Sequence, residues 1–100
     1  MSKVVEAVVY ILYSASLKRF YIGATTSLSA RLHLHNTKGY GRGKFTAKAN
    51  DWELYLTIDC SCMENALKIE AHINRMKSAN YIRNLQKYPE MIEKLMEKYC

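Results

Sequence analysis

Residues 7–23 read AVVYILYSASLKRFYIG, and this stretch decides the fold. Its first part, AVVYILY, is β-branched and aromatic, which favours a strand. Residues 14–18 are polar and short enough for a hairpin loop, and residues 19–23 supply the returning strand. The pattern therefore predicts an antiparallel hairpin. Its register, and with it the question of whether Tyr10 and Tyr21 share a face, does not follow from the sequence alone.

The remainder of the chain predicts one more strand and four helices. Residues 52–59 (WELYLTID) alternate apolar and polar side chains, so Trp52 and Ile58 are expected on the same buried face. Helices are predicted from capping residues at 25–27 to about Asn36, and then over about 61–79, 80–87 and 89–98. The order β-β-α-β-α-α-α predicts an α+β fold, in which a three-stranded, mainly antiparallel sheet is flanked by helices.

The composition indicates a single small globular domain spanning residues 1–100. The chain has 100 residues, of which 49% are hydrophobic and 24% charged, so it is neither disordered nor built for a membrane. No apolar run approaches the ~20 residues that a membrane helix needs, and no signal peptide is evident. The three cysteines, an odd number, favour a reduced state of the thiols. We therefore expect a cytoplasmic protein without a membrane partner.

Basic residues are concentrated in the first half of the chain. Lys and Arg total 15 against 9 Asp and Glu, and residues 1–50 carry eight of the bases with a single acid. Such an excess favours a polyanionic partner, most often nucleic acid, although a merely basic surface explains the charge about equally well. Glycines and bases dominate KGYGRGKFTAK, residues 38–48, which predicts a basic loop. The expected nucleic-acid contacts are Lys38, Arg42, Lys44, Lys48 and, from a later helix, Lys77.

Glu70 is a carboxylate inside the apolar sector of a predicted helix. Its neighbours three and four positions away include Ala66 and Ile73, so its charge is expected to lose solvation. Three structural explanations stay open: an edge position that reaches solvent, an ion pair with Lys77 or Arg31, or simple helix propensity. A metal-binding carboxylate is the functional alternative.

Five sequence elements, taken in order, resemble the GIY-YIG endonuclease domain. They are Val8-Val9-Tyr10, then after ten residues Tyr21-Ile22-Gly23, then Arg31 and His35 on the following helix, and Glu70 on a later helix. The chain is similar to small standalone members of that family, which resemble the N-terminal nuclease domain found in the excinuclease ABC complex. The resemblance covers about residues 7–85 and implies the same three-stranded α+β fold, followed by the helix at about 89–98.

The resemblance implies a role for each motif residue. Tyr10 matches the first motif tyrosine, a general base or water-orienting group, and Tyr21 matches the second, which helps position the nucleophile or the phosphate. Gly23 matches the glycine at which a side chain would crowd the substrate backbone. Arg31 matches the arginine that binds the scissile phosphate, and Glu70 matches the single metal-ligating glutamate.

Some positions depart from the family pattern or match only some of its branches. The first triplet is Val-Val-Tyr instead of Gly-Ile-Tyr, and Ala24 stands where several members have a lysine that assists the base. His35 matches a histidine of some branches that assists the tyrosine, and the missing lysine increases its importance here. A late asparagine supports the site in other branches, and Asn84 is preferred to Asn80 as its counterpart.

The resemblance implies a metal-dependent endonuclease that hydrolyses DNA phosphodiester bonds with one Mg²⁺ or Mn²⁺ ion. A bound cation and a fixed arginine stabilise the charge that builds on phosphate oxygens in the transition state. Because no targeting domain is evident, selection by DNA shape (branches, nicks or single strands) is expected over selection by sequence, with DNA repair or recombination as the setting. The alternative is a nucleic-acid-binding module that retains the nuclease fold without turnover.

Overall fold

The computed structural model describes residues 6–37, 51–76 and 78–99, and the side chains of residues 34–37 lie outside that description. In this part of the chain the elements are β1 (Ala7–Ser14), β2 (Arg19–Thr25), α1 (Leu28–Thr37), β3 (Trp52–Cys60), α2 (Met63–Met76), α3 (Ala79–Lys87) and α4 (Pro89–Tyr99). The predicted order β-β-α-β-α-α-α and the α+β class are confirmed. Each helix within the described ranges is too short or too polar to cross a membrane.

The three strands form one antiparallel sheet in the order β2-β1-β3. The predicted sheet is therefore confirmed, and β1 is its central strand. Val9, Ile11 and Leu12 of β1 are each fully buried. A strand that is covered on both faces needs such a nearly continuous apolar run instead of a strict alternation. Its composition explains why β1, and not β2 or β3, occupies the centre.

The turn between β1 and β2 is fixed by a carboxylate from a distant part of the chain. Asp51, just before β3, accepts hydrogen bonds from the Ser14 hydroxyl (2.6 Å) and from the backbone N–H of Ser16 (2.9 Å). The bond from Ser14 is the main reason that the pKa of Asp51 lies below its ordinary value. Lys18 completes the turn with a φ of 53°, which side chains rarely adopt. These contacts hold the start of β2 in place.

A β-bulge in β3 overturns the predicted alternation of that strand. Ile11 pairs with Leu56, but the next residue of β1, Leu12, pairs with Leu54. One extra residue therefore stands between the two partners in β3, and every side chain on the far side of the bulge changes face. Trp52 consequently lies on the opposite face from the C-terminal half of β3, which corrects the shared face that the sequence predicts.

Each face of the sheet carries its own core. One face, called here the tyrosine face, buries Tyr10, Leu12 and Trp52, and α1 covers it through Leu28 and Leu32. The other, called here the helical face, is covered by α2, α3 and α4. Its buried side chains are Ala7, Val9, Ile11, Ile58, Cys60, Ala66, Ile69, Ile73, Ile82, Leu85 and Leu95. Because burial of a large aliphatic side chain is worth about 1.5–3 kcal/mol, this larger cluster is the main source of stability.

Helix α2 ends earlier than the sequence predicts. The predicted helix runs to about residue 79, whereas α2 stops at Met76 and Ser78 becomes the N-cap of α3. The Ser78 hydroxyl accepts a hydrogen bond from the backbone N–H of Tyr81 (3.2 Å). Serine side chains compete for backbone groups in this way, which favours a helix start over a helix interior. The chain therefore turns at this point and α3 leaves in a new direction.

Candidate active site

The hairpin register places both motif tyrosines on the tyrosine face. Tyr10 pairs with Gly23, and Leu12 pairs with Tyr21. Directly opposed residues of antiparallel strands share a face, so Tyr10 and Tyr21 are diagonal neighbours. Their ring centroids lie 6.2 Å apart, with the planes tilted by 42°. The register thus brings together two hydroxyl-bearing rings that the sequence leaves unrelated.

Gly23 makes room for the ring of Tyr10. A Cβ atom at position 23 would lie 2.5 Å from both Cζ and the hydroxyl oxygen of Tyr10, far inside van der Waals contact. Tyr10 is only 1% exposed, so its ring has little space into which it could retreat. The resemblance attributes this glycine to access of the substrate backbone. In the structure, the group that comes closest to it is the first motif tyrosine.

Trp52 belongs to the same cluster, and the sequence-based interpretation misses it. Its ring stands edge-on to Tyr21, with centroids 6.4 Å apart and an interplanar angle of 65°. The strand alternation assigns Trp52 to the wrong face because it takes no account of the bulge in β3. No residue type in β3 signals that bulge. Trp52 is buried and therefore fixes one side of the Tyr21 ring.

Arg31 lies on the helix that covers the tyrosine face. Leu28 and Leu32 of α1 pack on the cluster, and Arg31 is half-buried beside them. Successive helical residues are rotated by about 100°, so Arg31 stands next to the apolar stripe, at the border of the covered face. His35 follows one turn later on the backbone of α1, and its side chain lies outside the described residues.

Glu70 lies on α2, which covers the other side of the sheet. This helix packs mainly against β2, the edge strand that also carries Tyr21. Glu70 is half-buried, one helical turn from the buried residues Ala66 and Ile73. Burial raises the pKa of the Glu70 carboxyl, because a less polar setting disfavours the charged form. No cation among the described residues, Arg31 included, offsets this effect.

The chemistry of Glu70 suits a hard divalent cation. The described ranges contain no group of three or more histidine, cysteine, aspartate or glutamate side chains that could hold a metal ion. An ion at Glu70 would therefore take its remaining ligands from water and phosphate oxygens, which is the usual coordination of Mg²⁺. A half-buried carboxylate whose charge is not compensated fits that group, and a bound cation would in turn favour its ionised form.

The raised pKa of Glu70 predicts a pH-dependent contribution to stability. The folded protein holds this proton more tightly than the unfolded chain. The favourable contribution is therefore complete below the ordinary pKa of 4.5, and it is lost as the pH rises through the folded value. Thermal unfolding of wild type and Glu70→Gln across this range should give a Tm difference that moves in favour of the variant as the pH rises. A difference that does not change with pH would contradict burial of the charge.

The remaining predicted site residues are not brought to the tyrosine face. Asn84 and Asn80 lie on α3, which covers the helical face, and both are exposed. The Asn80 side-chain oxygen accepts a hydrogen bond from Arg83 (3.3 Å). The predicted nucleic-acid contacts Lys38, Arg42, Lys44, Lys48 and Lys77 lie outside the described residues.

Comparisons with known proteins identify the family of the chain. A family model described as the GIY-YIG catalytic domain matches residues 6–86. Neither curated proteins nor solved structures give a match. The matched range contains the hairpin with both tyrosines, the helix with Arg31 and the helix with Glu70. Because the family model spans most of the chain, the protein belongs to the GIY-YIG family of nuclease domains.

Proposed function

We propose that the protein is a metal-dependent endonuclease that hydrolyses phosphodiester bonds in DNA. Membership of the family supports a nuclease-type function. The observation that carries the proposal is the tyrosine pair, because Tyr10 and Tyr21 lie 6.2 Å apart on one face. Hydroxyl groups of this kind can orient a water molecule or bind a phosphate oxygen. Two of them on one rigid sheet form a platform that holds both reactants.

Four side chains divide the work in this proposal. Tyr10 orients the attacking water, since a phenol holds its proton at neutral pH and is a poor base. Tyr21, which is half-buried, positions a phosphate oxygen. Arg31 stabilises the negative charge that builds on the scissile phosphate in the transition state. His35, one turn further along α1, assists Tyr10 by accepting the proton that the water releases.

Glu70 is the residue that we propose to hold one divalent cation, Mg²⁺ or Mn²⁺. Its partial burial and its raised pKa support this assignment, because a carboxylate without a compensating charge is best satisfied by a bound ion. When bound, the cation supplies Lewis-acid stabilisation of phosphate charge. Asn84 is the weaker candidate for a supporting role, because α3 covers the helical face.

We further propose that the substrate is branched, nicked or single-stranded DNA. The net charge of +6 supports contacts to phosphates, which position a nucleic acid without reading its sequence. The proposed setting is DNA repair or recombination in the cytoplasm, by a single domain of residues 1–100 that is similar to the N-terminal nuclease domain of the excinuclease ABC complex. The free thiols of Cys60 and Cys62 agree with a reducing compartment.

Cleavage of a panel of labelled DNA substrates tests the proposal. The panel contains a duplex, a nicked duplex, a flap, a four-way branch and a single strand, each with Mg²⁺, Mn²⁺ or EDTA. We expect cutting only with a metal, more of it on the interrupted or branched substrates, and less of it at high salt. Binding without cutting under every condition would contradict the enzyme and favour a nucleic-acid-binding module.

Removal of one hydroxyl group should separate the role of Tyr10 from that of its neighbours. We expect Tyr10→Phe to cut DNA about 100-fold more slowly than wild type. Tyr13→Phe is the matched control, because Tyr13 lies on the same strand and its ring packs on Phe20 at 4.9 Å on the helical face. That variant should keep its activity. Equal losses in the two variants, measured at equal fractions of folded protein, would contradict the assignment of Tyr10.

A further inference from the structure

A basic cleft lies on the helical face of the sheet, along the edge strand β2. Its volume is about 640 Å³, and it is open to solvent. Phe20 and Ile22 of β2, together with Ile73 of α2 and Ile82 of α3, form an apolar floor. The cleft is therefore built where the β1–β2 hairpin meets the junction of α2 and α3. None of the residues assigned a role in the proposed active site lines it.

Three cations surround this cleft: Lys18, Arg19 and Arg83. All three are exposed, and no acidic side chain is present among the described residues that line the cleft. The Arg83 guanidinium lies 5.9 Å from the centroid of the Phe20 ring, a contact that holds the cation over the floor. The positive potential of this arrangement favours an anionic ligand.

The cleft shares two elements with the proposed active site. Side chains alternate between the faces of a strand, so Phe20 and Ile22 face the cleft while Tyr21, between them, faces the other way. On α2, Asn74 lines the cleft one helical turn after Glu70. The cleft thus begins one residue away from the second motif tyrosine, and about 6 Å along α2 from the candidate metal ligand.

We propose that this cleft binds the phosphodiester backbone of a DNA strand beside the position of cleavage. The inference rests on the proposed function and names the part of the substrate that this surface recognises. Lys18, Arg19 and Arg83 contact phosphates that flank the scissile one. The apolar floor accepts a sugar or an unstacked base against Phe20. Bases in an intact duplex are stacked inside it, so the cleft favours an unpaired strand next to the cut.

The arrangement of the cations favours an extended backbone over a small anion. A tight site for a single phosphate group would surround it with buried donors, whereas all three cations here are exposed and stand around an open cleft. Such spacing suits a chain of phosphates, each neutralised from one side by a solvated cation. The same exposure predicts that binding depends strongly on salt.

Charge-neutralising variants test the inference directly. Binding of a fluorescein-labelled DNA duplex with a single-stranded flap is measured in EDTA, so that no cleavage occurs. We expect Arg19→Gln/Arg83→Gln to bind about tenfold more weakly at 0.1 M salt, with the slope of log K against log salt reduced by about 1.5. The control pair Lys87→Gln/Lys94→Gln removes the same charge from exposed positions outside the cleft. It should bind within about twofold of wild type, and Arg19→Lys/Arg83→Lys should retain most of the affinity.

The outcomes separate this inference from the proposed function. Equal weakening by the cleft pair and the control pair would overturn it, because net charge alone would then explain the effect. A cleft pair that loses binding of adenosine monophosphate but keeps its affinity for the flap would also overturn it. Wild-type protein that binds the flap and never cuts it refutes hydrolysis, yet leaves the binding comparison valid. If Arg83→Gln fails to fold, Arg19→Gln against Lys87→Gln makes the same comparison with one charge.

Discussion

Replacing Glu70 by glutamine should lower metal-dependent DNA cleavage by about 10³-fold or more while the protein stays folded. The two side chains have nearly the same size, so the packing of α2 against β2 should survive. The amide carries no charge and holds a divalent cation poorly. Because burial disfavours the carboxylate, the variant should also have a higher Tm than wild type at neutral pH in the absence of metal. A gain in stability together with a loss of activity is the signature of a functional residue and not of a structural one.

Metal binding gives a second measurement that does not depend on turnover. A ligand that binds only the folded state raises the Tm, so Mn²⁺ should stabilise wild type and should leave Glu70→Gln unchanged. Glu64→Gln is the matched control, because Glu64 lies on the same helix but is exposed and paired with Lys68 at 3.5 Å. It should keep both the activity and the response to Mn²⁺. Cleavage at the wild-type rate by Glu70→Gln would remove the metal assignment.

Features that depend on residues close in sequence could be predicted from the chain. The apolar run of β1, the short polar turn after it and the position of Pro89 at the start of α4 each report on local structure. The order of elements follows from them, because short connections keep consecutive elements adjacent. The partial burial of Glu70 could also be predicted, since helical spacing places it between Ala66 and Ile73.

Features that depend on pairing between distant segments could not be predicted. The bulge exists only in the register of β3 against β1, and it moves Trp52 to the tyrosine face. The shared face of Tyr10 and Tyr21 likewise needs the register of the hairpin. The basic cleft joins Arg19 of β2 to Arg83 of α3, which no local pattern connects. For each of these, the tertiary arrangement decides which side chains meet.

Replacing Gly23 by alanine should lower DNA cleavage by about 100-fold and should also destabilise the fold. The new methyl group would lie 2.5 Å from Cζ and from the hydroxyl oxygen of Tyr10, so the ring must move. Overpacking of a buried site typically costs about 1–3 kcal/mol, and Tyr10 is 1% exposed. A displaced hydroxyl no longer orients the reacting water, and misplacement by about 1 Å can cost roughly 100-fold in rate.

A double-mutant cycle isolates the contact between the two residues. Tyr10→Leu removes the ring atoms that a methyl group at position 23 would strike, so adding Gly23→Ala to that variant should cost little stability. In a strand, alanine in place of glycine is even favourable by about 0.5–1 kcal/mol when no clash occurs. Chemical denaturation of the four proteins should therefore give an interaction energy of about 1 kcal/mol or more. Ala24→Ser, one heavy atom larger at the next residue, is the control for the size change alone.

The two measurements together decide what the glycine does. If Gly23→Ala loses stability and activity, and the cycle shows coupling to Tyr10, the glycine is a positioning residue that sets the first motif tyrosine over β2. If activity falls while the free energy of unfolding stays unchanged, the methyl group obstructs the substrate, as the family resemblance implies. Because Tyr10 faces Gly23 directly in the register and its ring is buried, we expect the first result. The glycine then follows the second tyrosine so closely because the ring of the first tyrosine must cross the strand at that point.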